Sequence, residues 1–148
     1  MISKEAMHRV ILEHVQAEND NARERVLATY SRHSPVFDDV PSGARYTGGD
    51  EIVNNYRHLW DGFPALKREI TRWTFGDDSV VIELTLSGKH VGMNRGVPAS
   101  GRQLELRVIA HFQFDDEGRI QQETAYYDAL TFTRQLGIAR DTAPTARH

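Results

Sequence analysis

The sequence predicts an α+β domain in which the helices and an antiparallel sheet occupy separate parts of the chain. Apolar residues recur at helical spacing before Pro64, and they alternate with polar residues at strand spacing between Leu66 and Tyr127. Strands that are joined by short turns rather than by helices indicate an antiparallel sheet with helices packed against it. The length of 148 residues fits one domain. We assign the domain to residues 1–139 and expect the polar residues 140–148 to form a flexible tail.

The first part of the chain predicts helices. Ser3 can cap the first helix, and the residues on one face of it are Met7, Val10, Ile11, His14 and Val15. A second helix follows Asp20. The segment His33–Gly43 contains prolines and predicts a short strand followed by a loop. The run Thr47–Asp50 resembles a capping box, and the helix behind it has an apolar stripe made of Ile52, Tyr56, Leu59, Trp60 and Phe63.

The second part of the chain predicts a meander of strands and a final helix. The strands are Leu66–Phe75, Val80–His90, Arg102–Phe114 and Arg119–Tyr127. Alternation is clearest in the third of them, where the residues on one side are Leu104, Leu106, Val108, Ala110, Phe112 and Phe114. A short helix is expected after Asp128 and ends near Gly137.

The composition excludes several kinds of function. The absence of cysteine rules out disulfides, thiolate zinc sites and a catalytic thiol, and it fits the reducing cytoplasm, where we expect the protein to be. A net charge of −3 is too weak and too mixed for a nucleic-acid partner. The N-terminus is too polar for a signal peptide. No apolar run approaches the roughly 20 residues that cross a bilayer, so no membrane partner is expected.

Sequence motifs in three segments resemble one known family. Gly88–Arg102 (GKHVGMNRGVPASGR) contains Gly-x-His-x-Gly followed by Gly-x-Pro-x-x-Gly-Arg. Phe112–Gly137 looks like that family's closing hairpin and helix, and Val36–Gly48 looks like its early strand and loop. In their order and spacing, these segments resemble the SnoaL-like polyketide cyclases, which belong to the superfamily of nuclear transport factor 2 and ketosteroid isomerase.

The resemblance implies a cone-shaped, strongly curved antiparallel sheet, or α+β barrel, that wraps around the N-terminal helices and encloses an apolar pocket. It also implies a homodimer that forms through the outer face of the sheet. Members of the superfamily include cyclases, isomerases, epoxide hydrolases, dehydratases and non-catalytic binders. The fold by itself therefore says little about the reaction.

The resemblance also implies where catalytic groups would lie. In the cyclase and epoxide-hydrolase branches, a carboxylate follows the hairpin glycine in the last strand, and the cyclases place a histidine on the strand before it. Counted from Gly118, the carboxylate position is Ala125, and the histidine position falls on Ala110. Alanine cannot take a proton, and a general base contributes ~10²–10⁴ in rate. The usual catalytic pair is therefore expected to be absent.

The carboxylates of Asp128 and Glu123 lie close to that position. Asp128 either caps the following helix, which we favour because aspartate is among the best N-cap residues, or acts as a pocket acid. Glu123 either forms a cross-strand ion pair with Arg107 or Arg119, which we favour, or faces the apolar pocket. In the pocket its pKa would rise, and it could exchange protons with a ligand.

The turn after Phe114 decides which side of the last strand faces the pocket. A three-residue loop with a glycine bulge pairs Phe114 with Ile120. The residues on the same side as Phe112 would then be Gln122, Thr124, Tyr126 and Asp128. A four-residue loop pairs Phe114 with Arg119 and directs to that side Glu123, Ala125 and Tyr127. The apolar Ile120 favours the first alternative, and the family resemblance favours the second.

Histidines are further candidates, because the imidazole pKa near 6.5 suits proton transfer. His14 lies on the helix that covers the pocket in the superfamily. We favour a core histidine bonded to a backbone carbonyl over an acid–base group there. His90 starts the loop Gly88–Arg102 and either contacts the ligand or pins the loop. His111 points away from the apolar face of its strand, toward the outer sheet face or a dimer interface.

Aromatic side chains predict the ligand-binding surface. Such pockets are lined by aromatic residues with a few polar groups, and Met93 would be a pliable lid. The predicted substrate-binding residues are Tyr30, Phe37, Tyr56, Trp60, Met93 and Tyr127. No metal or cofactor is expected, because the acidic pairs lack further ligands and the histidines are scattered.

These observations support two functions. The first is a cofactor-independent enzyme that binds a small apolar carbonyl compound and moves a proton next to the carbonyl, by cyclisation or isomerisation. Tyr56 or Tyr127 would donate to the oxyanion, and the acid–base candidates are His14, His90, Glu123 and Asp128. The second function is a non-catalytic dimeric binder of an apolar metabolite, which the alanines at the two catalytic positions suggest.

Overall fold

The computed structural model describes residues 1–138 and shows the α+β class that was predicted. The helices are α1 (Lys4–Asn19), α2 (Arg23–Thr29), α3 (Gly49–Gly62) and α4 (Ala129–Gln135). The strands are β1 (Val36–Asp39), β2 (Ala44–Thr47), β3 (Lys67–Phe75), β4 (Ser79–Lys89), β5 (Gln103–Phe114) and β6 (Ile120–Tyr127). The predicted tail, residues 140–148, lies outside the described residues, so its flexibility stays a prediction.

The first helix begins where its sequence signal predicts. The Ala6 N–H donates to the Ser3 hydroxyl oxygen at 3.1 Å, which satisfies one of the free amides of the first turn. The apolar stripe of α1 packs into the core, with Met7 and Ile11 almost fully buried. His14 lies on the same stripe and is fully buried as well.

The start of α3 differs from the predicted capping box. Gly48, with φ of 90°, is the N-cap residue, and it has no side chain to cap the helix. The Glu51 carboxylate instead accepts a hydrogen bond from the Thr47 N–H at 2.8 Å. The chain turns through a left-handed glycine there, so the Thr47 hydroxyl is not placed over the first turn.

The strands form one curved sheet with the order β2-β1-β6-β5-β4-β3. All neighbouring pairs are antiparallel except β1 and β6, which run parallel. Within residues 1–138 the sheet is open, because β2 and β3 each have one neighbour, so the expected closed barrel is wrong. The strand β2 was also not predicted. It is short and partly exposed, and pairing with β1 gives it strand character that its sequence does not show.

The concave face of the sheet carries the core. Every predicted inward residue of β5 is buried, from Leu104 to Phe114, as their alternation requires. The outward side is open to solvent, with Ile109 45% exposed. Among the helices of residues 1–138, none has the length and apolar character needed to cross a membrane.

The hairpin between β5 and β6 begins in the register of the three-residue loop, and a later shift turns inward the residues that were expected from the four-residue loop. Phe114 pairs with Ile120, as a short loop with Gly118 at a φ of 79° requires. The register then shifts, and Gln113 pairs with Gln122. Gln121 is therefore the extra residue of a β-bulge, and its side chain donates to the His33 carbonyl oxygen at 2.9 Å.

The bulge changes the inward set of residues on β6. Ile120 is buried before it, while Glu123 lies opposite Phe112 and Ala125 lies opposite Ala110 after it. Tyr126 points out and is 49% exposed. The inward set that a short loop alone would give, which includes Thr124 and Tyr126 on the side of Phe112, is therefore wrong for the second half of the strand.

Candidate functional site

A cavity of about 310 Å³ lies between the concave sheet face and the helices. Its volume is at the lower end of the range for ligand pockets. Most of its wall is apolar, and the residues that make it include Val15, Phe37, Leu59, Ile82, Leu106 and Phe112. Its polar wall includes Glu18, Tyr56, Arg68 and Glu123.

Glu123 lies in the wall of this cavity and is only 6% exposed. Its Oε1 accepts a hydrogen bond from the Tyr30 hydroxyl at 3.1 Å and a longer one from the Tyr56 hydroxyl at 3.4 Å. The same oxygen lies 3.0 Å from Nε2 of His14. All these contacts end on Oε1, and no donor among residues 1–138 forms a hydrogen bond with Oε2.

Thr29 fixes the orientation and the tautomer of His14. The Thr29 hydroxyl donates its only proton to the Val26 carbonyl oxygen at 2.6 Å. Its oxygen must therefore accept from Nδ1–H of His14, 2.8 Å away. Proton exchange at the ring is confined to Nε2, the nitrogen that faces Glu123. The predicted bond from His14 to a backbone carbonyl is wrong, since both ring nitrogens contact side chains.

A second carboxylate and an arginine extend this arrangement. Nε2 of His14 is 3.2 Å from Oε1 of Glu18, and Nε of Arg68 is 3.2 Å from Oε2 of Glu18. We call His14, Glu18, Arg68 and Glu123 the charged cluster. When all four are ionised its charges cancel, which is the condition under which buried ions are tolerated.

The charged cluster shifts the pKa values of its members. Burial lowers the pKa of His14, but the carboxylates of Glu18 and Glu123 outweigh burial and raise it above the usual value. Burial raises the pKa of Glu18, against the opposing effect of Arg68 and His14. Burial, together with the charge of Glu123, raises the pKa of the Tyr30 and Tyr56 hydroxyls well above the usual value. The tyrosines therefore remain hydrogen-bond donors at neutral pH.

The structure brings several predicted site residues together. Glu123, Phe37, Tyr56 and Tyr127 line the cavity. His14 and Tyr30 contact Glu123 and belong to the same hydrogen-bonded group, although they are not part of the cavity wall. The Tyr127 hydroxyl donates to Asp39 at 3.1 Å. The favoured ion pair of Glu123 with Arg107 or Arg119 is wrong, because those arginines lie beside Glu83 and Glu117 instead.

Other predicted residues lie away from this group. His90 is buried outside the cavity wall, where its Nδ1 accepts from the Ser100 N–H at 3.2 Å and its ring stacks on Phe63. Its contact with Ser100, together with the backbone bonds between His90 and residues 101 and 102, ties the two ends of the loop Gly88–Arg102 to each other. Trp60 stacks on Tyr56 and Met93 is 56% exposed, and neither lines the cavity.

Asp128 is the N-cap of α4 and is exposed to solvent. Its carboxylate accepts from the Leu130 N–H at 3.1 Å and from the Thr131 hydroxyl at 2.6 Å. These bonds lower its pKa, so it stays ionised. The structure thus gives Asp128 the capping position and does not place it in the cavity wall.

Glu18 and Arg68 were not predicted as site residues. Glu18 could have been found, because it follows His14 by one helical turn on the same face of α1. Arg68 lies at the start of β3, and nothing in its local sequence distinguishes it from the neighbouring charged residues. Ala110 and Ala125 face each other in the cavity wall, at the positions where the family resemblance implies catalytic groups.

Comparisons with known proteins agree with the resemblance in the sequence. The model of the SnoaL-like polyketide cyclase family matches residues 9–136. Among solved structures, TsrD from Streptomyces laurentii is similar with 22% identity and a TM-score of 0.80, over 94% of this chain and 100% of that one. A protein from Jannaschia sp. CCS1, assigned as a SnoaL-like polyketide cyclase, has 20% identity and a TM-score of 0.83, over 95% of this chain and 99% of its own.

A further similar structure is a protein of ketosteroid isomerase-like fold from Catenulispora acidiphila, solved in complex with trimethylamine. It has 17% identity and a TM-score of 0.72, over 88% of this chain and 93% of that one. At such identities the structural similarity establishes the fold and not the reaction. No curated protein matches the chain.

Proposed function

This chain belongs to the SnoaL-like polyketide cyclase family, and we propose that it is a cofactor-independent acid–base catalyst. Its substrate would be a small apolar carbonyl compound that binds in the cavity. The observation that carries this proposal is Glu123, a buried carboxylate with one oxygen held by His14 and Tyr30 and the other without a donor among residues 1–138. Perturbed ionisable groups in an apolar cavity are typical of active sites.

Proton transfer would proceed through Glu123. In the proposed step, Oε2 of Glu123 takes a proton from the carbon next to the substrate carbonyl, and the C–H electron pair forms an enolate. The Tyr56 hydroxyl lines the cavity and keeps its proton, and in this step it turns that proton from Oε1 of Glu123 to the enolate oxygen. Return of the proton to another carbon completes an isomerisation. In a cyclisation, the enolate carbon attacks a second carbonyl, and the oxygen of that carbonyl receives the proton.

His14 would act as a positioning residue. It contacts Glu123 through Nε2 and is itself held by Thr29, so it fixes the direction in which Oε2 points. The two tyrosines support the same carboxylate, and their hydroxyls are 3.0 Å apart. A base held in this way needs little reorganisation in the transition state.

Turnover of a panel of apolar ketones, keto esters and diketones tests the proposal. We expect Glu123→Gln to lower kcat by ~10²–10⁴, the usual contribution of a general base. The matched control is Glu69→Gln on β3, which removes an exposed carboxylate and should leave kcat unchanged. A Glu123→Gln variant that turns over substrate at the wild-type rate would contradict the role of Glu123.

A second candidate is a non-catalytic binder of the same class of compound. Its support is the facing pair Ala110 and Ala125, which puts two methyl groups where the family resemblance implies a histidine and a carboxylate. Under this hypothesis, members of the panel bind in calorimetry, no product forms, and Glu123→Gln changes affinity alone. Product formation in excess of the uncatalysed reaction would exclude it.

We also propose that two copies pair through the outer sheet face and that the protein works in the cytoplasm. Ile109 and Tyr126 support the pairing, since both are large residues that are about half exposed on that face. Sedimentation of the wild type and of an Ile109→Lys variant tests it. A wild-type protein that sediments as a monomer would contradict the pairing.

A further inference from the structure

The guanidinium of Arg68 has two nitrogens without a hydrogen-bond partner. Arg68 lines the cavity but is only 5% exposed. Its Nη1 and Nη2 are buried, and neither atom has a hydrogen-bond partner among residues 1–138. Buried donors of a charged group are normally satisfied, because leaving them unpaired is costly. An acceptor is therefore missing at this point of the cavity wall.

The neighbouring residues hold Arg68 in place. The Arg68 N–H donates to the Asn19 side-chain oxygen at 2.8 Å, and the Asn19 amide donates to the Arg68 carbonyl oxygen at 3.0 Å. Nε of the guanidinium forms an ion pair with Oε2 of Glu18 at 3.2 Å. These contacts fix the backbone of Arg68 and the Nε edge of its guanidinium. The edge formed by Nη1 and Nη2 has no hydrogen-bond partner among residues 1–138.

We propose that the ligand of this cavity carries a carboxylate, which binds to Nη1 and Nη2 of Arg68. The two nitrogens form a planar fork that matches the two oxygens of a carboxylate. The rest of the wall is mostly apolar, so the ligand is an apolar keto acid with its carboxylate at Arg68. This inference rests on the proposed function, since it names the class of substrate for the same site.

The position of Arg68 relative to Glu123 fits a keto acid. Arg68 contacts Glu18, and Glu18 and Glu123 both contact the same nitrogen of His14, at 3.2 and 3.0 Å. A carboxylate anchored at Arg68 therefore lies close to the proposed base. The carbon atoms between the carboxylate and the carbonyl would then face Oε2 of Glu123, which holds them for proton abstraction.

Binding of matched acid and ester pairs tests the inference. The probes are benzoylpropionic acid and other aryl and alkyl keto acids of similar size, each compared with its methyl ester by calorimetry. We expect the acids to bind about tenfold or more tightly than their esters, as charge-assisted hydrogen bonds do. Arg68→Gln should abolish this preference. The matched control is Arg72→Gln on the same strand, which changes an exposed arginine and should preserve it.

A second variant keeps the inference testable if Arg68→Gln does not fold. Glu18→Gln keeps a side-chain oxygen beside Nε of Arg68 and removes the carboxylate that competes for the guanidinium, so it should increase the preference for acids over esters severalfold. A weaker or unchanged preference in Glu18→Gln would count against the inference.

The outcomes of the binding test separate two failures. If acids and esters bind equally well to the wild type, or Arg68→Gln retains the preference, Arg68 is not a carboxylate site and the proposed function is unaffected. If neither the acids nor the esters bind, the cavity is not a site for apolar carbonyl compounds. The proposed function and this inference then fail together.

Discussion

At the scale of single residues, the hydroxyl of Thr29 determines how His14 can act. The threonine accepts from Nδ1 of His14 because its own proton is bonded to the Val26 carbonyl oxygen. Nε2 is therefore the only nitrogen that can exchange a proton with the cavity side of the charged cluster. A single neutral side chain thus sets the tautomer of a buried histidine.

The contribution of the hydrogen bond between His14 and Thr29 can be measured as a change in the free energy of unfolding. Thr29→Val keeps the shape of the side chain but leaves the Nδ1–H of His14 without an acceptor, which should cost about 1–3 kcal/mol in the free energy of unfolding. Thr29→Ser is the control, since it keeps the hydroxyl and loses one methyl group. Urea unfolding measures both. Equal stability of the two variants would show that the hydroxyl contributes nothing.

At the scale of secondary-structure elements, a bulge and a cap decide what faces the cavity. The extra residue Gln121 in β6 brings Ile120 to the core before it and Glu123 to the cavity after it. At the end of the same strand, Asp128 starts α4 and is directed to solvent. Two carboxylates that are close in sequence therefore have different environments, one buried and one exposed.

The capping role of Asp128 makes a prediction that differs from a catalytic role. Asp128→Ala removes the acceptor for the Leu130 N–H and should lower the midpoint of thermal unfolding by a few degrees. Asp128→Asn keeps a side-chain oxygen at the cap, so its midpoint should stay close to that of the wild type. We expect both variants to retain full turnover. A large loss of kcat in a stably folded Asp128→Asn variant would restore Asp128 as a pocket acid.

At the scale of the whole molecule, the charged cluster links α1 to the sheet. His14 and Glu18 come from α1, Arg68 from β3 and Glu123 from β6. Its ion pairs are buried, so their ionisation contributes to the stability of the fold. Because the pKa of His14 is raised, the folded protein keeps the imidazole proton up to a higher pH than the unfolded chain does.

The stability of the folded protein therefore depends on pH through His14. The stabilisation from His14 is fully present below its ordinary pKa of about 6.5 and is lost as pH rises through the raised folded value. The free energy of unfolding should therefore fall above pH ~6.5, by about 1.4 kcal/mol for each unit of the shift. Burial and the charge of Arg68 lower the pKa of His14, and the carboxylates of Glu18 and Glu123 raise it by more. The other side chains that face the ring are the hydroxyl groups of Thr29, Tyr30 and Tyr56.

Urea unfolding across this pH range checks the prediction. His14→Gln removes the titrating ring and should flatten the decline above pH ~6.5. His33→Gln, at an exposed position, is the matched control and should keep the decline. If the wild type and His14→Gln show the same slope, the imidazole of His14 does not take up a proton on folding.

Much of the fold could be predicted because its signals are local. The cap at Ser3, the alternation of β5 and the turn before Gly118 each depend on residues close together in the chain, and all three appear where they were predicted. The family resemblance could be recognised for the same reason, since its motifs are short segments in a fixed order. Glu123 and His14 could be named as candidates from their positions on these elements.

The partners of these residues were decided by the tertiary structure. His14 and Glu123 are 109 positions apart in the chain, and Arg68 meets Glu18 only after β3 packs beside α1. The parallel pairing of β1 with β6 and the open edges of the sheet likewise depend on contacts between distant segments. Periodicity shows that a side chain faces inward, but it carries no information about which distant side chain it meets. The sequence thus determined the elements and the candidates, while packing decided that they form one buried cluster at a cavity.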